Sequence, residues 1–192
     1  MTMGDLATVF RLIDEANAAD PALEADEAGN ARPAALLYGE RMSAALDGFQ
    51  PDAPETLRIA CRAQHLERWK LPRAEYPMTK PGYHAWRNEQ KRRHGVRAGE
   101  LMAEAGYGRD DIARVAVLIG KEGIKRDGDV QTLEDVACLV FLAHHAIPFA
   151  AGRDEMELKA IMAKTLAKMS EKGRAAARSL DLPQALRDLA GF

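Results

Sequence analysis

The sequence predicts an all-α chain, and three observations carry the prediction. Alanine is abundant, runs of β-branched residues are short, and apolar residues return at three- and four-residue spacings along nearly all of the 192 residues. With 47% hydrophobic residues the chain can bury one sizeable core, so the expected architecture is a single compact multi-helix domain over residues 1–192.

The elements follow in order. Leu6, Val9, Phe10 and Ile13 mark an amphipathic helix within residues 1–19, and the acidic, glycine-containing stretch 20–32 reads as a loop. Pro33 suits a first helical turn, after which Leu36, Leu37, Met42, Ala45 and Leu46 line a second helix that ends near Gly48. Asp52 and Pro54 start a third helix, which carries Leu57, Ile59, Ala60, Cys61 and Ala63 and runs to Trp69–Leu71, before Pro72. A loop reaches Pro81. From Gly82 a long polar helix passes Tyr83, Trp86, His94, Val96 and Leu101 and stops at AGYG, where Gly106 and Gly108 suit left-handed C-cap geometry. Asp110 or Asp111 can cap the next helix, which carries Ile112, Val115, Ala116, Leu118 and Ile119 and ends at Gly120 or Gly123. After the loop KEGIKRDGD, the string VQTLEDVACLVFLAHHAIPF is the most apolar helix and is predicted to be central. Helices over about 155–172 and 183–190 close the chain, separated by Gly173 and the Leu-Asp-Leu-Pro turn.

Charge and composition narrow the function classes. A net charge of −2 argues against general binding of nucleic acid or of an anionic membrane surface, because counterion release needs a basic face. The first twenty residues lack the basic n-region and apolar run of a secretory signal, and no stretch of about 18 uninterrupted apolar residues occurs, so a soluble, cytoplasmic chain is expected. Cys61 and Cys138 lie far apart in apolar helical patterns without a CxxC spacing and read as reduced core thiols. A homo-oligomer is left open.

The segment LRIACRAQHLERWKLPRAEYPMTKPGYHAWRNEQKRRH, from Leu57 to His94, departs from this balance. Residues 68–97 hold nine Lys or Arg against two Glu, with Trp69, Tyr76, Tyr83 and Trp86 interleaved. That mixture is the chemistry of guanidinium stacking and bidentate phosphate recognition. Lys91, Arg92 and Arg93 read as a solvated helix face, whereas Arg68, Arg73 and Arg87 sit beside aromatics and a constrained loop and are candidates to hold an anionic ligand, with Trp69 and Tyr83. RNA binding through this patch would show as steep salt dependence.

His65, in an apolar stretch, reads alone as a satisfied core histidine. In company with His94 and with the Glu134–Asp135 pair at the start of the most apolar helix it reads as a metal ligand. Glu134 reads equally as a first-turn capping group, and Asp135 less so, since two adjacent residues cannot face the same way.

The strings YGERMSAALDGF, LRIACRAQHLERW, HGVRAGELMAEAGYGRDDIARVAVLIGKEG and VQTLEDVACLVFL, in this order, resemble successive helices of the HD superfamily of metal-dependent phosphohydrolases. The positions corresponding to that superfamily's ligands are Tyr38, His65 with Leu66, His94, Lys121, and Asp135 or Ala137, so the scaffold matches better than the donors. The resemblance implies an HD-like core over about 33–150 between the N-terminal helix and C-terminal helices over 155–192. It further implies one divalent metal on His65, His94 and Asp135, with a bound water activated for attack on phosphorus. Glu134 would serve as general base, Lys121 would replace the charge of a second metal, and Tyr38 would join the substrate-binding residues. The substrate would be a nucleotide or another small phosphorylated molecule. A different reading of the same residues is a non-catalytic HD-like module that keeps the anion pocket without metal and acts as a ligand sensor or partner-binding protein.

A closer resemblance covers nearly the whole chain. QHLERWKLPR, YPMTKPGYHAWR, LEDVACLVFL and KMS, in this order and at these distances, are similar to the uncharacterised family called domain of unknown function 4202. The triplet Lys168-Met169-Ser170 does not make the chain a class I synthetase, since such an enzyme needs a nucleotide-binding parallel sheet that a helical chain lacks.

Overall fold

The computed structural model describes residues 4–192. Among these residues there are ten α-helices and one two-stranded antiparallel hairpin, so the fold is all-α. The chain divides into two compact units, 1–122 and 123–192, and the core expected over about 33–150 spans the division.

In the first unit, α1 (Leu6–Asn17) starts at Asp5, whose carboxylate accepts the Ala7 and Thr8 amides. The stretch expected as a loop folds into β1 (Leu23–Ala25) and β2 (Ala31–Pro33). The Asp26 carboxylate accepts the Ala28 and Asn30 amides, and Gly29 supplies a left-handed residue at the turn. The hairpin is tied down from α2 (Ala34–Phe49), where buried Arg41 pairs with Glu24 and Glu27 and donates to the Ala25 carbonyl. No local pattern in 20–32 announces that tether, since Arg41 lies in a different element.

Next comes α3 (Glu55–Arg62), then α4 (Lys80–Glu104), which opens on a Thr79 cap with Pro81 in its first turn, and α5 (Arg109–Gly120). Asp110 and Asp111 lie in the first turn of α5, where they complement the helix dipole; Gly108, not an aspartate, is the N-cap residue. The core is built from Val9 and Ile13 of α1, Leu37, Met42 and Leu46 of α2, Leu57 and Ile59 of α3, Leu101 and Met102 of α4, and Val115, Leu118 and Ile119 of α5. Full burial of each such side chain is worth roughly 1.5–3 kcal/mol. Helices α4 and α5 approach closely because Gly95 faces Ala116, and Gly99 leaves no room for a Cβ, which would stand 2.9 Å from Ile112.

The expected third helix is the largest departure in this unit. It stops at Arg62, and residues 63–71 form turns that include a left-handed Glu67 (φ 52°) and a short 3-10 turn, Arg68–Lys70. The lost helical hydrogen bonds are replaced from outside. Asn17 Oδ1 accepts the Glu67 amide, His94 Nδ1 lies 2.7 Å from the Leu66 carbonyl, Gln90 Nε2 donates to the Arg68 and Leu71 carbonyls, and Trp86 Nε1 donates to Leu71 as well. Trp86, Gln90 and His94 recur every four residues on one face of α4, so a single stripe holds the Leu66, Arg68 and Leu71 carbonyls of the turn, while Asn17 of α1 holds the Glu67 amide.

In the second unit, α6 (Gly128–Val140) is capped by Asp127, which accepts the Asp129 and Val130 amides. Glu134 and Asp135 therefore lie past the first turn and are not capping groups. The helix continues through a π-turn, Phe141–His145, into α7 (Ala146–Ala150). In a regular helix Pro148 would press on the carbonyl four residues earlier; the wider turn relieves that crowding. The run Gly128–Ala150 is long and apolar enough to cross a membrane, and half of its most apolar stretch is buried inside the protein, as in a core helix.

Where one helix over 155–172 was expected, α8 (Glu155–Lys168) and α9 (Glu171–Arg178) meet at a corner, followed by α10 (Gln184–Ala190). The corner falls on the KMS triplet. Lys168 ends α8, Met169 is extended and buried, and Ser170 caps α9 through its side chain. Asp135, 1% exposed, accepts the Ser170 amide at 2.8 Å, the Ser170 hydroxyl at 2.5 Å and Gln131 Nε2 at 3.1 Å. Gly173 is inside α9, not a separator. A Cβ there would stand 2.6 Å from the Asp135 carboxylate.

Candidate functional site

The turn 63–71 and the faces of α2 and α4 against it bring together six of the residues singled out from sequence: Tyr38, His65, Arg68, Tyr83, Arg87 and His94. Tyr38 stacks flat on His65, with ring centroids 3.7 Å apart and planes at 13°. The His65 and His94 centroids are 6.4 Å apart. Arg68 lays its guanidinium 4.5 Å from the Trp86 ring centroid, a cation–π contact, and Arg87 lies 5.8 Å from the Tyr83 centroid.

His94 is 2% exposed. A carbonyl can only accept, so Nδ1 carries the proton it gives to Leu66, and the neutral ring presents Nε2 as a bare lone pair. That Nε2 is buried and has no partner among the described residues. Burial holds the His94 pKa down to about 4 against the favourable pull of the Leu66 carbonyl, and the Arg68 charge pushes the same way as burial.

Arg68 is half-buried, and burial lowers its pKa. The Tyr38 and Tyr83 hydroxyls favour its charge, and the nearby Arg87 cation opposes it. Neither Arg68 nor Arg87 has an ion-pair partner among the described residues. Other arginines of this unit are neutralised: Arg62 by Asp14, Arg58 by Asp47, Arg92 and Arg93 by Glu89, and Arg97 by Glu67 and Glu100.

Other sequence candidates stand elsewhere or are already engaged. Arg73 gives its guanidinium to the Tyr76 and Pro77 carbonyls at 2.8 Å each and so knits the loop before α4. Trp69 is half-buried on the 3-10 turn, while Trp86 supplies the face on which Arg68 stacks. Lys121 closes α5 in a left-handed conformation, and its charge acts on Cys61, whose thiol burial pushes up to about 12. Such a thiol is no nucleophile. Glu134, 6% exposed, lies 3.8 Å from Lys168, and Asp135 is the bracket of the α8–α9 corner, both in the second unit.

The donors do not fit the metal centre that the HD resemblance implies. Leu66 is an apolar core residue, 1% exposed, where that pattern has an aspartate, and Asp135 is held by Ser170 and Gln131. Among the described residues no three His, Cys, Asp or Glu side chains form a metal-holding group.

Sequence reasoning missed Gln90 and Asn17 and counted Trp86 only among the aromatics suited to guanidinium stacking. The four-residue spacing of Trp86, Gln90 and His94 was the available signal. Removing one member tests the stripe: Gln90→Leu is expected to cost about 2 kcal/mol, because the Arg68 carbonyl loses its donor. A denaturant midpoint unchanged from wild type would show that the turn holds without it.

The comparisons agree with the strings in the sequence. A family model described as Domain of unknown function (DUF4202) matches residues 7–190. The chain belongs to this family. No curated protein and no solved structure matches it. The match takes in all the elements of both units from α1 to α10, so the polar stripe of α4 and the Asp135 corner both lie within the family's domain.

Proposed function

We propose that this member of the family binds a small phosphorylated molecule in its first unit and acts as a ligand-sensing or partner-binding module. The observation that carries the reading is the Arg68–Arg87 pair. Two guanidinium groups near enough for one to disfavour the charge of the other, with no carboxylate against either among the described residues, call for an anion. Trp86 and Tyr83 supply the aromatic faces over which the two guanidinium groups lie. Of the other cations in the segment, Lys70, Arg73, Lys91, Arg92, Arg93 and Arg97 are engaged by carboxylates or carbonyls, which is why we read the charge excess of residues 68–97 as something other than a general polyanion surface.

The HD resemblance supports a second reading, hydrolysis of a phosphoester by a metal-bound water. It is favoured by His94, whose Nδ1 donates to a carbonyl and leaves Nε2 free, the arrangement usual in metal-bound histidines. The donor set does not complete that centre, and no catalytic step is derived through it.

Calorimetric titration with inorganic phosphate and with a nucleoside monophosphate tests the binding reading. Arg68→Met keeps much of the stem and removes the charge, and is expected to weaken binding at least tenfold, as for loss of a charge-assisted hydrogen bond. Arg92→Met, which removes a surface partner of Glu89, is expected to change it less than twofold. Binding indifferent to Arg68, or no binding by wild type, would overturn the reading. Phosphate release from the monophosphate that depends on added divalent metal and is lost in His65→Ala would establish the second one.

A further inference from the structure

We infer that the His94 site selects oxyanions that carry a proton, hydrogen phosphate or a protonated phosphomonoester, over sulfate. The inference rests on the anion-binding reading above and specifies which anion.

Two groups with opposite demands stand near enough to act on each other: the Arg68 charge is felt at the His94 ring, and the Arg87 charge is felt at Arg68. Arg68 and Arg87 have only N–H donors and positive charge to offer. His94 has only a lone pair to offer. Its Nδ1 proton is committed to Leu66, its Nε2 is buried, and nothing among the described residues donates to it. Reversing the tautomer would set the Nδ1 lone pair against the carbonyl oxygen at 2.7 Å, so the backbone of the 63–71 turn fixes which nitrogen is bare. Protonating Nε2 is opposed by burial and by the Arg68 charge.

A ligand that answers both demands is negatively charged and also carries an O–H. Sulfate at neutral pH meets the first and fails the second, because its oxygens would turn lone pairs toward the lone pair of Nε2. Inorganic phosphate has the same tetrahedral shape and keeps at least one proton at neutral pH, so it donates to Nε2 and accepts from the guanidinium groups together. The cost of an unsatisfied buried acceptor applies to sulfate alone, and that difference is the source of selection.

Titration of the full chain at pH 7 with sodium phosphate and sodium sulfate, at matched ionic strength, reads the selectivity directly. Phosphate is expected to bind at least tenfold tighter than sulfate. In wild-type protein labelled with 15N in histidine, the signal of the unprotonated His94 Nε2 is expected to shift with phosphate and to stay in place with sulfate. His94→Gln is expected to reduce the ratio below threefold. Where that variant fails to fold, the wild-type nitrogen signal decides. Equal affinity for the two anions, both weakened by Arg68→Met, overturns the selectivity and leaves the anion site standing. No binding of either anion overturns both. Selection for phosphate without movement of the Nε2 signal overturns the assignment to His94.

Discussion

Asp135→Ala is expected to destabilise the second unit by about 3–5 kcal/mol, the larger of the substitution effects the structure implies. The carboxylate is 1% exposed and receives the Ser170 amide, the Ser170 hydroxyl and the Gln131 amide. Truncation leaves these donors without an acceptor at the point where α8 turns into α9, and opens a void that Gly173 cannot fill. Gly173→Ala approaches the same corner from the other side. Its methyl carbon would stand 2.6 Å from both Cγ and Oδ1 of Asp135, so the carboxylate or the helix must move. The two changes act on one contact, and their combination is expected to cost less than their sum. Urea titrations of the two single variants and the double variant check this. An Asp135→Ala midpoint within experimental error of wild type would show that the corner is held by α8–α10 packing instead.

The legible and illegible parts of the sequence divide along physical lines. Helices α1, α2, α4 and α5 were readable because their apolar residues keep helical spacing and their ends carry glycine or proline. What escaped was wherever a side chain from one element satisfies the backbone of another. Residues 63–71 read as the end of a helix, since Leu66 and Leu71 continue the apolar pattern; they are instead turns, because His94, Gln90 and Trp86 take their carbonyls. The hairpin over 23–33 depends on Arg41 in the same way. At the candidate site, the basic and aromatic character of 68–97 pointed to Arg68, Tyr83 and Arg87, which lie near one another in the structure. It could not separate Arg68, which has no ion pair among the described residues, from Arg73, whose guanidinium is given to loop carbonyls. Asp135 illustrates the limit most sharply. A buried aspartate on an apolar helix reads from sequence as a ligand, and only the position of Ser170, thirty-five residues away, shows it to be a structural bracket.

The first unit is expected to lose stability on mild acidification through His94. An unfolded histidine titrates near 6.5, and burial lowers the folded value to about 4. Between these values the unfolded chain binds more protons than the native one, so native stability rises with pH across that window. The contribution is fully present above about pH 6.5 and is lost as pH falls toward about 4. At about 1.4 kcal/mol per pH unit the whole interval amounts to about 3 kcal/mol. Urea unfolding at several pH values between 7 and 4.5, for wild type and His94→Gln, isolates the term: the variant is expected to be less stable at pH 7 and to show a shallower slope with pH. Parallel slopes would mean that His94 does not carry the acid sensitivity. Because the 63–71 turn holds both Arg68 and the Leu66 carbonyl that fixes the His94 tautomer, protonation of this ring also inverts its chemistry. The lone pair becomes a donor, and on the proposed anion-binding reading the selection against an oxyanion without a proton is expected to fade as pH falls toward about 4.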